Sequence, residues 1–210
     1  IDHFEQLNAA LDQRRCAERV VNLKKDKTTI NDTDRYSPLS WDDQKQTLRH
    51  TYGPRYQLFV IGAGMVSRYL ANMADMLDYE VTICDPREDL LADFDVPGVR
   101  KIGDMPDDAV KKYAKDQATA IVALTHDPRI DDMGLMEALT TDAFYIGAMG
   151  STRTSASRRE RLKALDLTDA DINKLHAPIG LPIGSKTPPE IAIAILAEIT
   201  AVRKQVAPAA

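Results

Sequence analysis

The chain has 210 residues, a hydrophobic fraction of 44% and a formal net charge of −5. That is enough apolar material for a sizeable core, and the acidic balance argues against a nucleic-acid partner. No apolar run approaches the ~18 residues of a membrane span, and no secretory signal pattern is present. The cysteines Cys16 and Cys84 lack a Cys-x-x-Cys spacing, so reduced thiols in a cytoplasmic protein are the expectation.

Ile1 followed by Asp2-His3-Phe4-Glu5 reads as mid-protein sequence, so a fragment or processed form is expected. Residues 4–19 read as a helix and 18–23 as a strand. Residues 24–41 are polar and read as a loop or linker, with a short strand at 28–30. Residues 41–51 read as a short helix, and Trp41 as packing of the linker onto the main domain. These assignments make 1–53 an N-terminal α+β segment, the remnant of a larger domain, and 54–206 a nucleotide-binding domain.

That second region opens on its most informative run, Leu58-Phe59-Val60-Ile61-Gly62-Ala63-Gly64-Met65-Val66-Ser67. A short apolar stretch ends in Gly-x-Gly, and Val66, Leu70, Met73 and Leu77 then recur at helical spacing. A second apolar run, Val81-Thr82-Ile83-Cys84, ends in Asp85. This is the strand–turn–helix–strand layout of a dinucleotide fingerprint. Gly62 permits the tight bend, and Gly64 lets a pyrophosphate approach the backbone. Ser67 is small enough for close helix–strand packing. The freed amides of the first helical turn, from Gly62, Ala63, Gly64, Met65 and Val66 onward, favour an anion. Asp85 could accept hydrogen bonds from ribose hydroxyls, favouring NAD over NADP. Arg87 weakens that preference, because a guanidinium pairs with phosphate.

Apolar runs and helical patterns then alternate. Strands are expected at 57–61, 80–84, 99–102, 119–124 and 143–146, with helices at 64–78, 106–115 and 131–140. The alternation predicts an α/β fold: an open, mostly parallel Rossmann-like sheet with helices on both faces. Three further helices are expected at 152–165, 168–176 and 188–205. Thr168-x-x-Asp171 and Thr187-Pro188-Pro189-Glu190 resemble capping boxes. Residues 191–196 are apolar all round, which predicts a well-buried helix.

Acids outnumber bases from 75 to 142, and the balance reverses from 143 to 163. In an open α/β sheet, ligands bind outside the strand C-termini. Besides the glycine turn, two loops fall there: Thr125-His126-Asp127-Pro128 and Gly147-Ala148-Met149-Gly150-Ser151-Thr152-Arg153-Thr154. His126 is a candidate acid or base; the alternative, favoured because no second catalytic partner is evident in the sequence, is a histidine that hydrogen-bonds the backbone and positions the loop. Gly150, Ser151 and Arg153 could grip a phosphate or carboxylate; the alternative is a glycine turn with a solvated arginine. Arg158, Arg159 and Arg161 read as facing water. Residues 176–184 are rich in Gly and Pro yet too apolar for an ordinary exposed loop, and could line a pocket. No Cys/His set has zinc-ligand spacing, so no metal site is expected, and neither a P-loop nor a serine nucleophile elbow occurs.

Together, Phe59-Val60-Ile61-Gly62-Ala63-Gly64, Thr125-His126-Asp127, Gly150-Ser151-x-Arg153 and the stretch from His176-Ala177-Pro178-Ile179-Gly180-Leu181 through Ile183-Gly184 to Thr187-Pro188-x-Glu190-Ile191-Ala192 resemble the XdhC/CoxI family of xanthine dehydrogenase accessory factors. The resemblance runs from about Leu58 to Arg203. It implies a helper that binds molybdenum cofactor, protects it during sulfuration and assists its insertion into a molybdenum hydroxylase apo-enzyme. The implied ligand is NAD(P) or the molybdenum cofactor, possibly in dinucleotide form. The implied partners are the apo-enzyme and a cofactor sulfurase, with a homodimer left open. Two departures matter. The family's Gly-Gly-Cys-type motif is absent, and Cys16 has no glycine neighbours to inherit its role. The position after Gly64, commonly His, is Met65, which offers only a polarizable apolar contact. Alternatives are an NAD(P)-dependent oxidoreductase and a non-catalytic nucleotide sensor.

Overall fold

The computed structural model describes residues 2–33, 37 and 39–205, and the chain divides into two compact units, 1–55 and 56–210. In the first unit, helix α1 (Asp2–Asp12) precedes strands β1 (Cys16–Asn22), β2 (Lys27–Thr33), β3 (Ser40–Asp42) and β4 (Thr47–Tyr52). The strands form an antiparallel sheet in the order β2-β1-β4-β3. Leu7 and Ala10 of α1 pack with Ala17 of β1 into a small core, flanked by Leu11, Ile30 and Tyr52.

Two expectations fail here. The helix expected through residue 19 stops at Asp12. Arg14 then takes a left-handed conformation (φ 55°), and 16–22 are a strand. Residues 41–51 are not a helix but the β3–β4 hairpin. Asp42 accepts a hydrogen bond from the Lys45 amide at 3.0 Å within its turn, and β4 pairs along β1 from Ala17↔Tyr52 to Asn22↔Thr47. Long-range pairing with β1 overrides a weak local pattern, as β-structure commonly does. The strand expected at 28–30 is the middle of the longer β2.

The second unit alternates strand and helix: β5 (Gln57–Ile61), α2 (Met65–Asp75), β6 (Glu80–Cys84), α3 (Glu88–Ala92), β7 (Arg100–Ile102), α4 (Pro106–Tyr113), β8 (Thr119–Ala123), α5 (Pro128–Ala138), β9 (Tyr145–Ala148), α6 (Thr152–Lys163), α7 (Asp169–Ile172), β10 (Leu175–His176) and α8 (Pro188–Arg203). Every pairing in this six-stranded sheet is parallel, in the order β10-β9-β8-β5-β6-β7. Read from the other edge, that is the doubly wound 3-2-1-4-5-6 order. The sequence-based α/β fold is thus the observed one, with the α+β appendage before it.

Strand alternation divides the core between two faces. Leu58 and Val60 of β5 point to the face covered by α2 and α8, where Leu70, Ile195 and Ile199 are fully buried. Phe59 and Ile61 point to the other, covered by α4, α5 and α6 through Val110, Leu135 and Leu162. The helix expected at 168–176 is only the four-residue α7, started by the Thr168–Asp171 capping box. Leu175 and His176 then pair with Ile146 and Gly147 as the edge strand. Helix α8 has its Thr187–Glu190 capping box, but it is not buried all round. Ile193 is half-exposed and borders a groove with Met73 and Leu77.

Candidate functional site: the cleft at the switch point

The strand order reverses between β5 and β8, so the loops after these two strands face each other across the crevice where such folds bind ligands. After β5 the chain turns at Gly62 with φ +111°. A Cβ there would lie 2.9 Å from Thr125 Cγ2, 3.0 Å from the Thr125 nitrogen and 3.1 Å from the Leu124 carbonyl carbon. Both the conformation and the space demand glycine. Gly64 differs. It is the extended N-cap residue of α2, supplies no capping side chain, and a Cβ on it would meet nothing within 4 Å. The first turn of α2 carries no acid. The positive end of the helix dipole therefore opens onto free space. Ser67 is fully buried, in keeping with close packing at the third fingerprint position.

Asp85 stands at the end of β6 with no exposed surface. Its Oδ2 accepts hydrogen bonds from the Ala63 amide at 2.8 Å and from Arg87 Nη2 at 2.7 Å. Its Oδ1 accepts from the Arg87 amide at 3.0 Å and Arg87 Nε at 2.8 Å. Burial alone would raise its pKa. The Arg87 guanidinium and the two amides outweigh burial and hold the carboxyl below its ordinary value. Arg87 in turn is fixed in orientation, and its ionised form is favoured by the same carboxylate.

After β8, Thr125 is held by Asp131. Its amide and Oγ1 donate to Asp131 Oδ1 at 3.1 Å and 2.7 Å. Asp127 caps α5 by accepting from the Arg129 amide at 3.0 Å. His126, between them, has φ +63° and an exposed side chain. After β9, the Met149 carbonyl accepts from Arg158 Nη1 at 3.0 Å. Arg158 is buried. It donates through Nη2 to Asp131 Oδ2 at 3.1 Å and through Nε to Asp132 Oδ1 at 3.1 Å. Arg161 Nε reaches Asp132 Oδ2 at 2.5 Å, and Arg159 donates to the carbonyls of Ile172, Leu175 and Ala177. None of the three arginines simply faces water, contrary to the sequence-based expectation. Arg158 and Asp131 instead tie the loops after β8 and β9 into one rigid rim.

The loops enclose a cleft of about 290 Å³. Gly64, Met65 and Val66 form one wall and Arg87 with Leu90 another. Leu124 and Thr125 form the floor with His126 at the rim, and Met149, Lys186, Pro188 and Ile191 close the far side. A second cleft of about 730 Å³ adjoins it through Met149 and Ile191, lined by Gly150 and by residues 178–182 with Gly184 and Ser185. The Gly/Pro-rich stretch is thus a pocket wall, and Glu198 of α8 anchors it. Glu198 Oε2 accepts from the Gly180 amide at 2.7 Å and Tyr145 Oη at 2.5 Å, and Oε1 lies 3.1 Å from His176 Nδ1.

Of the residues singled out from sequence, the structure brings Gly64, Met65, Val66, Arg87, Thr125 and His126 together around the first cleft. Gly62 and Ala63 form the turn beneath it, and Gly150 lines the second. Asp85 lies under the floor. Ser151 is the N-cap of α6, accepting from the Thr154 amide at 3.2 Å. Arg153 is exposed on the first turn of α6 and is not among the residues lining either cleft. Sequence reasoning missed Leu90, Leu124, Lys186, Pro188 and Ile191, and named Met149 only as part of the third loop, without a role. Lys186 could have been found, because it directly precedes the Thr187-Pro188 helix start, two residues beyond the stretch 176–184 read as pocket-lining.

Residues 58–199 match the XdhC Rossmann domain. The chain is 29% identical over 155 residues to a probable xanthine dehydrogenase subunit of Bacillus subtilis, covering 73% of this chain and 45% of that protein. It is 30% identical over 164 residues to YqeB of Escherichia coli, covering 72% of this chain and 28% of YqeB. It is 32% identical over 88 residues to the molybdenum cofactor insertion chaperone PaoD of Escherichia coli, covering 42% of this chain and 28% of PaoD. The chain thus spans less than half the length of these curated relatives. A crystal structure of a xanthine dehydrogenase from Bacillus halodurans shares the fold, with a TM-score of 0.71 at 21% identity over 97% of this chain and 64% of that one. With the fingerprint turn, the sheet order and the closing Pro/Gly-rich motif all inside the matched region, the chain belongs to the XdhC family.

Proposed function

We propose that this chain serves the maturation of a molybdenum hydroxylase, holding a phosphate-bearing cofactor in the cleft at the switch point. The observation that carries this reading is the open approach to Gly64. A bare N-cap at the positive end of α2 faces a cleft whose walls carry Arg87 and Lys186. Backbone amides and cations on a rigid rim suit a diphosphate group. The apolar patches of Met65, Leu90, Met149 and Ile191 suit the flat face of a base or pterin. Two relatives, one named a molybdenum cofactor insertion chaperone and one a probable xanthine dehydrogenase subunit, support the choice of cargo.

The cleft favours binding over turnover. His126 is exposed at the rim, and among the described residues no carboxylate pairs with it. Among the described residues no group of three or more His, Cys, Asp or Glu could hold a metal ion. No helix among the described residues is long and apolar enough to cross a membrane.

The test is native mass spectrometry of the chain as it purifies from cells making molybdenum cofactor, followed by mixing with a cofactor-free hydroxylase. The expected result is a nucleotide-containing ligand that dissociates on denaturation and whose delivery raises hydroxylase activity. Rapid hydride transfer to or from bound NAD(P) with a substrate would contradict the reading and favour an oxidoreductase.

A further inference from the structure

In a Rossmann site the acid at the end of the second strand reads ribose hydroxyls, and for that it needs free acceptor positions. Asp85 has none to spare. An ionised carboxylate offers about four acceptor positions, and its two oxygens receive Ala63 N, Arg87 N, Arg87 Nε and Arg87 Nη2. The side chain is fully buried beneath Arg87. A ribose diol could reach it only by displacing the guanidinium. The acid that ought to repel a ribose phosphate is already paired.

What faces the cleft at that position is the guanidinium. Arg87 is 37% exposed, and its Nη1 hydrogens remain available, because only Nε and Nη2 are held by Asp85. That two-point grip fixes the fork before any ligand arrives, which lowers the ordering cost of binding. Lys186 lines the same cleft, and its ammonium has no ion-pair partner among the described residues. The nearby acids are otherwise engaged: Asp127 pairs with Arg129 and Asp131 with Arg158.

We infer that the cleft selects a nucleotide bearing a phosphate monoester on its ribose, with Arg87 as the specificity residue and Asp85 as its positioning residue, so that NADP is preferred to NAD. This deepens the proposed nucleotide reading and rests on it. The α2 amides serve the diphosphate bridge, and Arg87 takes the additional dianion. An arginine near the second-strand acid is the known physical solution for a ribose 2′-phosphate, and a charge-assisted contact of this kind corresponds to about tenfold in affinity.

The experiment is calorimetric titration of the full chain with NADP, NAD and ADP at low and moderate salt, repeated on Arg87→Ala, Arg87→Lys and Lys186→Ala. The expected result is NADP binding about tenfold tighter than NAD, with the margin shrinking as salt rises. In Arg87→Ala the preference should disappear or invert, because Asp85 is freed to accept from ribose hydroxyls. Arg87→Lys, which keeps a cation over Asp85, should retain part of the preference if the alanine variant proves unstable. Lys186→Ala should weaken NADP more than NAD. Equal or tighter binding of NAD by the wild-type chain overturns the inference and leaves the nucleotide reading standing. Failure of all three nucleotides to bind overturns the inference and leaves a molybdenum cofactor occupant of the cleft to the mass-spectrometric test.

Discussion

At the scale of single residues, position and chemistry diverge from what the letters suggest. Gly62 and Gly64 look alike in sequence, yet Gly62 sits in a crowded turn of positive φ and Gly64 faces open space. Gly62→Ala forces a Cβ against Thr125 at a φ of +111°, and should destabilise the chain by about 1–3 kcal/mol, read from its urea-unfolding midpoint. Cys84, buried and beside Asp85, has its thiol pushed up to about 12. Its sulfur should resist alkylation by iodoacetamide at pH 8 in the native chain and react once the chain is unfolded. Rapid native labelling of Cys84 would contradict that placement. The glycine turn was legible because its motif, an apolar run closed by Gly-x-Gly before a helical pattern, is contiguous in the chain. Arg158 was not, because its burial depends on two acids on a different helix, Asp131 and Asp132. Three arginines within four residues read as a wet surface. Only the packing of α6 on α5 shows that one of them is a buried tie.

At the scale of elements, hydrophobic periodicity served where a segment is buried along its length or carries its own cap. Strands β5 and β6 and the capped start of α8 follow the pattern closely. It failed for partly buried strands held by their pairing: β4 is held by β1, and β10 by β9. Ile195 of α8 is fully buried against the sheet, so Ile195→Ala should cost ~2–5 kcal/mol in the same unfolding assay. The same helix also holds the wall of the second cleft through Glu198. Burial opposes ionisation of Glu198, but hydrogen bonds from His176, Tyr145 and the Gly180 amide prevail and lower its pKa. A lowered carboxylate pKa stabilises the fold above its unfolded value of about 4.3 and is lost as pH falls through the folded value. Stability should therefore drop below about pH 4.3, and Glu198→Gln should flatten that acid limb while lowering stability at pH 7. An unchanged acid limb in the variant would remove Glu198 from this role.

At the scale of the whole molecule, the doubly wound order places three loops at one edge of the sheet, and buried ion pairs make two of them a single rim. The sequence disclosed all three loops as strand-end candidates, and the first with its helix. The opposite wall, Met149 with Lys186, Pro188 and Ile191, emerges only when α8 folds back beside α2 on the same face. The central claim is that an anionic cofactor lies against the bare N-terminus of α2. Gly64→Val tests it most directly, because a Cβ there meets no heavy atom within 4 Å and the substitution should leave the fold intact. NADP titration of the wild-type chain and of this variant, with a thermal melt of each, should show binding weakened at least tenfold in the variant at a nearly unchanged Tm. Undiminished nucleotide binding by a folded Gly64→Val chain would contradict the account.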